Sequence, residues 1–198
     1  ENLGDHGLLS HVFSLHQSLV HVPLLLVAPE RVPAGTVVTE PVSLVDVAPT
    51  LEGLAGIGAA GAEGRRGRSL MTSPPEARAD RVLVAEHPPP GPILDILLAN
   101  DPHLDLTGFD RSWAAAREGS LKLVVDGLGS SALFDLASDP DEMRDVAREH
   151  PEAVARLSAA LAEPLAHLPP TRARAAEAPG AAPLDAATRE RLHALGYM

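Results

Sequence analysis

Seven residues, Val22-Pro23-Leu24-Leu25-Leu26-Val27-Ala28, run apolar without a polar interruption, and they constrain the rest of the chain. A run this short and this apolar reads as a strand buried on both faces, the kind found inside a parallel sheet. Pro23 is tolerable only near its start, because an interior proline removes a ladder hydrogen bond. The residues ahead of it hold the densest polar chemistry in the chain. Gly4 and Gly7 bracket Asp5-His6, and His11, His16 and His21 follow. A polar loop feeding a short helix and then a buried strand is how an α/β enzyme builds one rim of its site.

A chain of 198 residues can bury roughly 70% of its unfolded surface, enough for one domain or one domain with a small appendage. The formal charge is −11, from 27 acidic and 16 basic residues, and the aromatics are one Trp, one Tyr and three Phe. A phosphate-backbone binder needs a basic face, so nucleic acid is excluded as a partner. No apolar run reaches the roughly 20 residues of a helical membrane span. The absence of cysteine removes disulfides, thiolate metal sites and thiol nucleophiles together. Compartment stays open.

Ser14 and Gln17 have capping-box spacing and predict a helix over about Leu15 to Val20, ended by Pro23. Thr36-Val37-Val38-Thr39 predicts a short β-branched strand after a turn at Pro29 to Gly35. Ser43 and Asp46 repeat the capping pattern before Leu44, Val47, Leu51 and Leu54. A helix over Leu44 to Ala55 follows, kinked at Pro49 and closed by Gly56. Gly58 to Arg81 reads as surface loop, Arg81 to Glu86 as a strand, and Ile93 to Ala99 as a short helix within a proline-rich stretch.

Ser112 to Arg117, Leu121 to Val125 and Ala132 to Leu136 are three strands separated by the turn signals Glu118-Gly119 and Asp126-Gly127-Leu128-Gly129. Strands so closely linked predict an antiparallel meander. Asp139, Pro140 and Glu142 have the pattern of a helix start. His150-Pro151 opens a second helix whose stripe of Val154, Leu157, Leu161, Leu165 and Leu168 should lie on the meander. Trp113 and Phe134 read as contacts between the two. Pro169 to Pro183 reads as a linker, and Leu184 to Met198 as a short docking helix.

Three stretches carry a family resemblance. Glu1, Gly4, Asp5, His6, Gly7 and His11 run into Val22-Pro23-Leu24-Leu25. Val42 to Leu51 reads Val-Ser-Leu-Val-Asp-Val-Ala-Pro-Thr-Leu. Leu133-Phe134-Asp135-Leu136 is followed by Asp139-Pro140-Asp141-Glu142. In this order they resemble the sulfatase family of the alkaline phosphatase superfamily, over Glu1 to Ile57 and Ser112 to Leu161. The resemblance implies an α/β fold, the C-terminal part of a sulfatase-like α/β sandwich with a small antiparallel β-meander plus helix subdomain. It divides the chain into 1–86 (main α/β domain), 87–110 (irregular insertion), 111–168 (antiparallel subdomain) and 169–198 (linker and terminal helix). The match starts at Glu1, so the family's metal-binding segment is expected upstream, in a missing N-terminal half.

What the resemblance implies chemically is hydrolysis of sulfate esters by a formylglycine nucleophile beside a bound divalent metal, calcium. The family's Cys/Ser-x-Pro-x-Arg segment is not in the chain, since there is no Cys and Ser73-Pro74-Pro75-Glu76 does not fit. Its Asp-Asp metal pair is also missing. The chain by itself is therefore expected to bind no cofactor and to be inactive. In the complete parent the other half would supply formylglycine and metal, and a sulfate ester would be the substrate. His11 stands where the resemblance puts a Lys or His touching the sulfate and the bridging oxygen, and an imidazole there can give up a proton. His6 is the second candidate, as a supporting group.

His16 and His21 read as structural. A spacing of five turns each histidine about 140° from the last on a helix, so the four do not form one metal site. Asp5 either orients His6 or is solvated, while His87 and His103 line an outer wall or merely face solvent. Capping accounts for Ser43, Asp46, Asp139 and Glu142. Two rivals remain: a phosphodiesterase or phosphonate monoester hydrolase of the same superfamily, and a stand-alone binding or assembly module. The second sits badly with Val22 to Ala28, which wants sheet neighbours.

Overall fold

The computed structural model describes residues 1–57, 64, 66–72, 81–106 and 108–169. Most of the loop expected between Gly58 and Arg81, the linker from residue 170 onward and the helix expected at Leu184 to Met198 lie outside the described residues. In chain order the elements are β1 (Asn2–Leu3), β2 (Leu9–Ser10), α1 (Gln17–Val20), α2 (Val47–Ala55), β3 (Leu83–His87), α3 (Gly91–Asn100), β4 (Trp113–Glu118), β5 (Leu121–Asp126), β6 (Ser131–Asp135) and α4 (Pro151–His167). The architecture is α/β, a four-stranded antiparallel sheet with helices.

The meander forms where the turn signals put it. β4 pairs with β5 and β5 with β6, all antiparallel, and Gly119 takes the left-handed conformation (φ 58°) that the tight β4–β5 turn demands. A fourth strand joins at the edge. β3 pairs antiparallel with β4, Leu83 opposite Arg117 and His87 opposite Trp113, so the sheet reaches back into the segment assigned from sequence to the main α/β domain.

Side chains alternate across this sheet, and both faces are covered. Ala114, Ala116, Leu123 and Leu133 point to one face, where Val146 and Ala153, Leu157 and Leu161 of α4 close over them. α4 begins at Pro151, whose missing N–H costs nothing in a first turn, and its apolar stripe meets the meander as the sequence predicted. The other face presents Ala115, Val124 and Phe134, packed on Leu15, with Val20 and Trp113 around them. Trp113 and Phe134 thus contact the N-terminal segment, not α4. The strands carry unbroken burial because they are covered twice, a pattern more usual for parallel sheets.

Three elements expected from the sequence do not form, each for a physical reason. Val22 to Ala28 forms no strand, and Leu25 and Val27 are 87% and 77% exposed. A strand exists by its ladder, and no other described segment offers this run one. Thr36 to Thr39 fails likewise, with Val37 83% exposed. Asp139 and Pro140 start a turn and not a helix. Asp139 Oδ2 accepts the Arg144 amide (2.8 Å), and Glu142 sits in the left-handed region at φ 55°, where a helix cannot continue.

The helix expected at Leu44 to Ala55 opens as a 3-10 turn, Leu44–Asp46, and becomes α-helical only at Val47. Pro49 therefore lies in the first α-helical turn, where amides have no intrahelical acceptor to lose. Gly56 closes it at φ 69°, and the Ile57 amide reaches back to the Glu52 carbonyl (3.0 Å), a Schellman ending. Asp46 does more than cap. Buried, it accepts the amides of Ser43 (3.1 Å) and Arg68 (2.8 Å) and both its oxygens meet Arg81 Nη1 (2.7 and 2.8 Å). Burial opposes its ionisation, but the Arg81 guanidinium and those amides hold its carboxyl below the usual range.

Candidate functional site

The two leading histidines lie on either side of one short strand, His6 in the loop before β2 and His11 directly after it. β1 and β2 pair antiparallel, Asn2 opposite Ser10 and Leu3 opposite Leu9, and the Gly4 amide closes the loop onto the Leu8 carbonyl (2.9 Å). Gly4 adopts φ 115°, a conformation strained for any residue with a Cβ. Asp5 accepts the Leu3 amide on Oδ2 (3.0 Å), and that bond, with its own amide, lowers its carboxyl pKa. So Asp5 closes the turn, and His6 is left at φ 53°.

His6 lies flat against His16, ring centroids 3.5 Å apart and planes within 7°. Sequence spacing alone kept these two rings apart, because it assumed one continuous helix. In the structure His6 belongs to a loop and His16 only precedes α1. Burial and the neighbouring His16 push the His6 imidazole below its ordinary pKa, against the pull of Glu142, the Asp141 backbone and Asp5.

What holds His16 comes from the far end of the chain. Glu142 Oε2 accepts the Gln17 amide (2.6 Å) and faces His16 Nδ1 (3.2 Å). Glu142 Oε1 takes Lys122 Nζ (2.6 Å), and Nζ also donates to the Leu15 carbonyl. The two side chains are 2% and 1% exposed. The cap expected from Ser14 is thus replaced by Glu142. Ser14 is buried against Asn2 Nδ2 (3.4 Å), and Asn2 Oδ1 accepts the Ser18 hydroxyl (2.6 Å).

Burial by itself would raise the Glu142 carboxyl. The hydrogen bonds from His16 and Lys122, the Lys122 charge and the Gln17 amide outweigh it and bring the pKa from 4.5 down to about 2. Burial pulls the Lys122 ammonium down, and Glu142 pulls it back. The short contacts to a carboxylate and a carbonyl fit the charged form.

Neither member of this pair was singled out from sequence, where Glu142 read as a cap. One signal was available. Lys122 interrupts Leu121-Lys122-Leu123-Val124-Val125, and a cation inside an apolar strand needs a partner. Nothing local to Glu142 identified that partner.

His11 lies at the edge of the same assembly. Its side chain is 47% exposed, and Nδ1 lies 2.7 Å from Glu1 Oε1, a carboxylate contact that selects the Nδ1–H tautomer and leaves Nε2 outside that bond. His87, on the sheet face that the N-terminal segment covers, lies within reach of the His11 charge. Its Nδ1 is buried with no hydrogen-bond partner among the described residues, and burial above all holds its imidazole below the ordinary value. His21 and His103 are exposed. The structure therefore brings His6, His16 and Glu142 into one cluster and sets His11 near His87.

His6, His16 and Glu142 each place a ligand-type atom within 4.8 Å of the others. They do not fit a calcium-type ion, which takes six to eight oxygens, since the set offers two nitrogens and a carboxylate already engaged by Lys122. Nor do they converge on a smaller ion. Lone pairs of parallel stacked rings lie in parallel planes, and one metal cannot sit in both. Formylglycine has no precursor cysteine in this chain. What the cluster can do is orient imidazoles and hold protons.

No family model matches the chain. Arylsulfatase K of Mus musculus is 32% identical over 157 residues, covering 75% of this chain and 26% of that protein. Arylsulfatase K of Homo sapiens is 31% identical over 157 residues, covering 75% and 27%. The chain thus spans about a quarter of the length of the curated relatives it matches. Among solved structures, that of a 2-O GAG sulfatase superposes with a TM-score of 0.40 at 22% identity, covering 61% of this chain and 24% of that one.

Proposed function

We propose that this chain, which is related to the sulfatase family over 75% of its length, is the C-terminal part of a hydrolase of sulfate esters and forms the leaving-group rim of its site. The observation that carries the reading is the extent of the likeness, 157 residues at 32% identity to a protein named as an arylsulfatase. On this reading the attacking group and the metal come from a portion of the complete protein outside this chain. That portion supplies the nucleophile and the charge neutralisation, and the chain alone turns over no ester.

Within the rim, His11 is the group that assists departure of the alcohol. The Glu1 carboxylate holds Nδ1 (2.7 Å), which orients the ring and directs Nε2 away from that bond. A protonated imidazole beside the bridging oxygen gives a proton to the alkoxide as the bond breaks. His6 supports the loop that leads through β2 to His11.

The test uses the complete gene product with aryl sulfates and the matching aryl phosphates. Sulfate esters are cleaved faster, and His11→Ala lowers kcat/KM for poor leaving groups by about a hundredfold, the scale of general acid catalysis, while sparing good ones. Preference for the phosphate esters, or an equal loss across leaving groups, overturns the respective half of the reading. The chain by itself is inactive in the same assay.

A further inference from the structure

We propose that Glu142 is a positioning residue for the histidine loop: its carboxylate fixes the His16 ring, and the stack of His16 on His6 carries that orientation to the β1–β2 loop, which leads through β2 to His11. The proposal rests on the reading of that loop as one rim of a sulfate ester site.

The geometry divides the work of the carboxylate. Oε1 is taken by Lys122 (2.6 Å), which anchors Glu142 to the middle of the sheet. Oε2 meets both the Gln17 amide (2.6 Å) and His16 Nδ1 (3.2 Å). A carboxylate at Nδ1 selects the Nδ1–H tautomer and fixes rotation of the ring about χ2, as carboxylates do behind catalytic and metal-bound histidines. The amide bond fixes the backbone where that side chain leaves it. His16 then presents a flat face of set direction, and His6 lies on it at 3.5 Å and 7°.

Stability alone does not account for this arrangement. Buried ion pairs are commonly no better than apolar residues of similar volume, because desolvating two charges offsets their attraction. Glu142 adds a left-handed backbone at φ 55°, itself unfavourable for a residue with a Cβ. The sheet face around it buries Leu15, Val124 and Phe134, with Arg117 opposite Lys122 on the neighbouring strand, and an apolar pair would avoid desolvating two charges there. Two charges and a strained residue stand where the segment after β6 meets His16, whose ring also lies 6.4 Å from that of Phe134. His6 is held from the same turn, since the Asp141 backbone next to Glu142 also bonds its ring, while Asp5 is occupied with the Leu3 amide.

The experiment replaces both charges together, Lys122→Met with Glu142→Gln, so that neither is left buried and unpaired and the protein still folds. Thermal melting checks that it does. In the complete gene product, 15N spectra of labelled histidine should show His16 as the Nδ1–H tautomer in the parent and as a mixture shifted toward Nε2–H in the double variant. With aryl sulfates of graded leaving-group pKa, kcat/KM for the poorest should fall about tenfold, with little change for the best. An unchanged His16 tautomer overturns the proposal. A shifted tautomer with an unaltered leaving-group profile in a folded protein also overturns it, leaving Glu142 a purely structural residue. If the parent protein cleaves no sulfate ester, the site reading falls, and the His16 tautomer with the accompanying shift of His6 still decides whether Glu142 orients the pair.

Discussion

The sheet with α4 and the N-terminal segment are held by different physics. Between β4, β5, β6 and α4 the contact is apolar and close-packed, with Ala114, Ala116, Leu123, Leu133, Leu157 and Leu161 fully buried. From Asn2 to Gln17 the structure is stitched by polar atoms: Asn2 to Ser14 and Ser18, Gln17 and His16 to Glu142, Lys122 to the Leu15 carbonyl. Its most apolar stretch, Val22 to Ala28, contributes the least packing. Apolar burial is non-directional and tolerates small shifts, whereas hydrogen bonds to set atoms fix angles. The segment with candidate chemistry is the one fixed by angle, as orienting an imidazole requires.

Breaking the polar side should show the largest effect. Lys122→Ala leaves Glu142 buried without its cation, and the loss is expected at about 3–5 kcal/mol, read as a lower denaturant midpoint. On the apolar side Leu133→Ala opens a cavity under α4 and costs about 2–5 kcal/mol. The sharper contrast is in the histidine spectra: Lys122→Ala disturbs His6 and His16, and Leu133→Ala leaves them alone. Equal disturbance by both would erase the distinction between the regions.

Acid separates them again. Glu142 is lowered on folding from 4.5 to about 2, so its contribution is complete above the unfolded value and fades as pH falls through that window, ~3 kcal/mol at the limit. His6 is also lowered on folding. The unfolded chain therefore binds a proton there first, and some stability is lost earlier, as pH falls through the ordinary histidine range. A pH series of melting temperatures should decline in two steps, and Glu142→Gln with Lys122→Met should shrink the lower one to the part that Asp46 contributes. The smallest effect belongs to the exposed run. Leu25→Ser should change stability by less than about 0.5 kcal/mol, with reduced binding of an apolar dye; a larger loss would mean that this run is packed after all.

The meander was legible because its signals are local. Glu118-Gly119 and the Asp126 to Gly129 turn fix hairpins within a few residues, and the α4 stripe repeats at helical spacing. The relation to the sulfatases was legible too, from motif order. The candidate cluster was not. His6 was chosen for its glycine-bracketed motif, but its partners were set aside, His16 by a spacing argument and Glu142 by a capping pattern. Both arguments assumed a local helix that the chain does not form there. Val22 to Ala28 was overread for the opposite reason: composition states a tendency to pair, and pairing needs a second strand.

By itself the sequence determined the sheet's three linked strands, their turns and the helix over them, since period and turn chemistry are properties of neighbouring residues. Only the tertiary structure decided that the sheet is covered on both faces, that β3 joins its edge, and that Glu142 closes on Gln17 across 125 positions. The physical reason is burial. A carboxylate and an ammonium excluded from water must find each other wherever the fold brings them together, and no local pattern records the meeting.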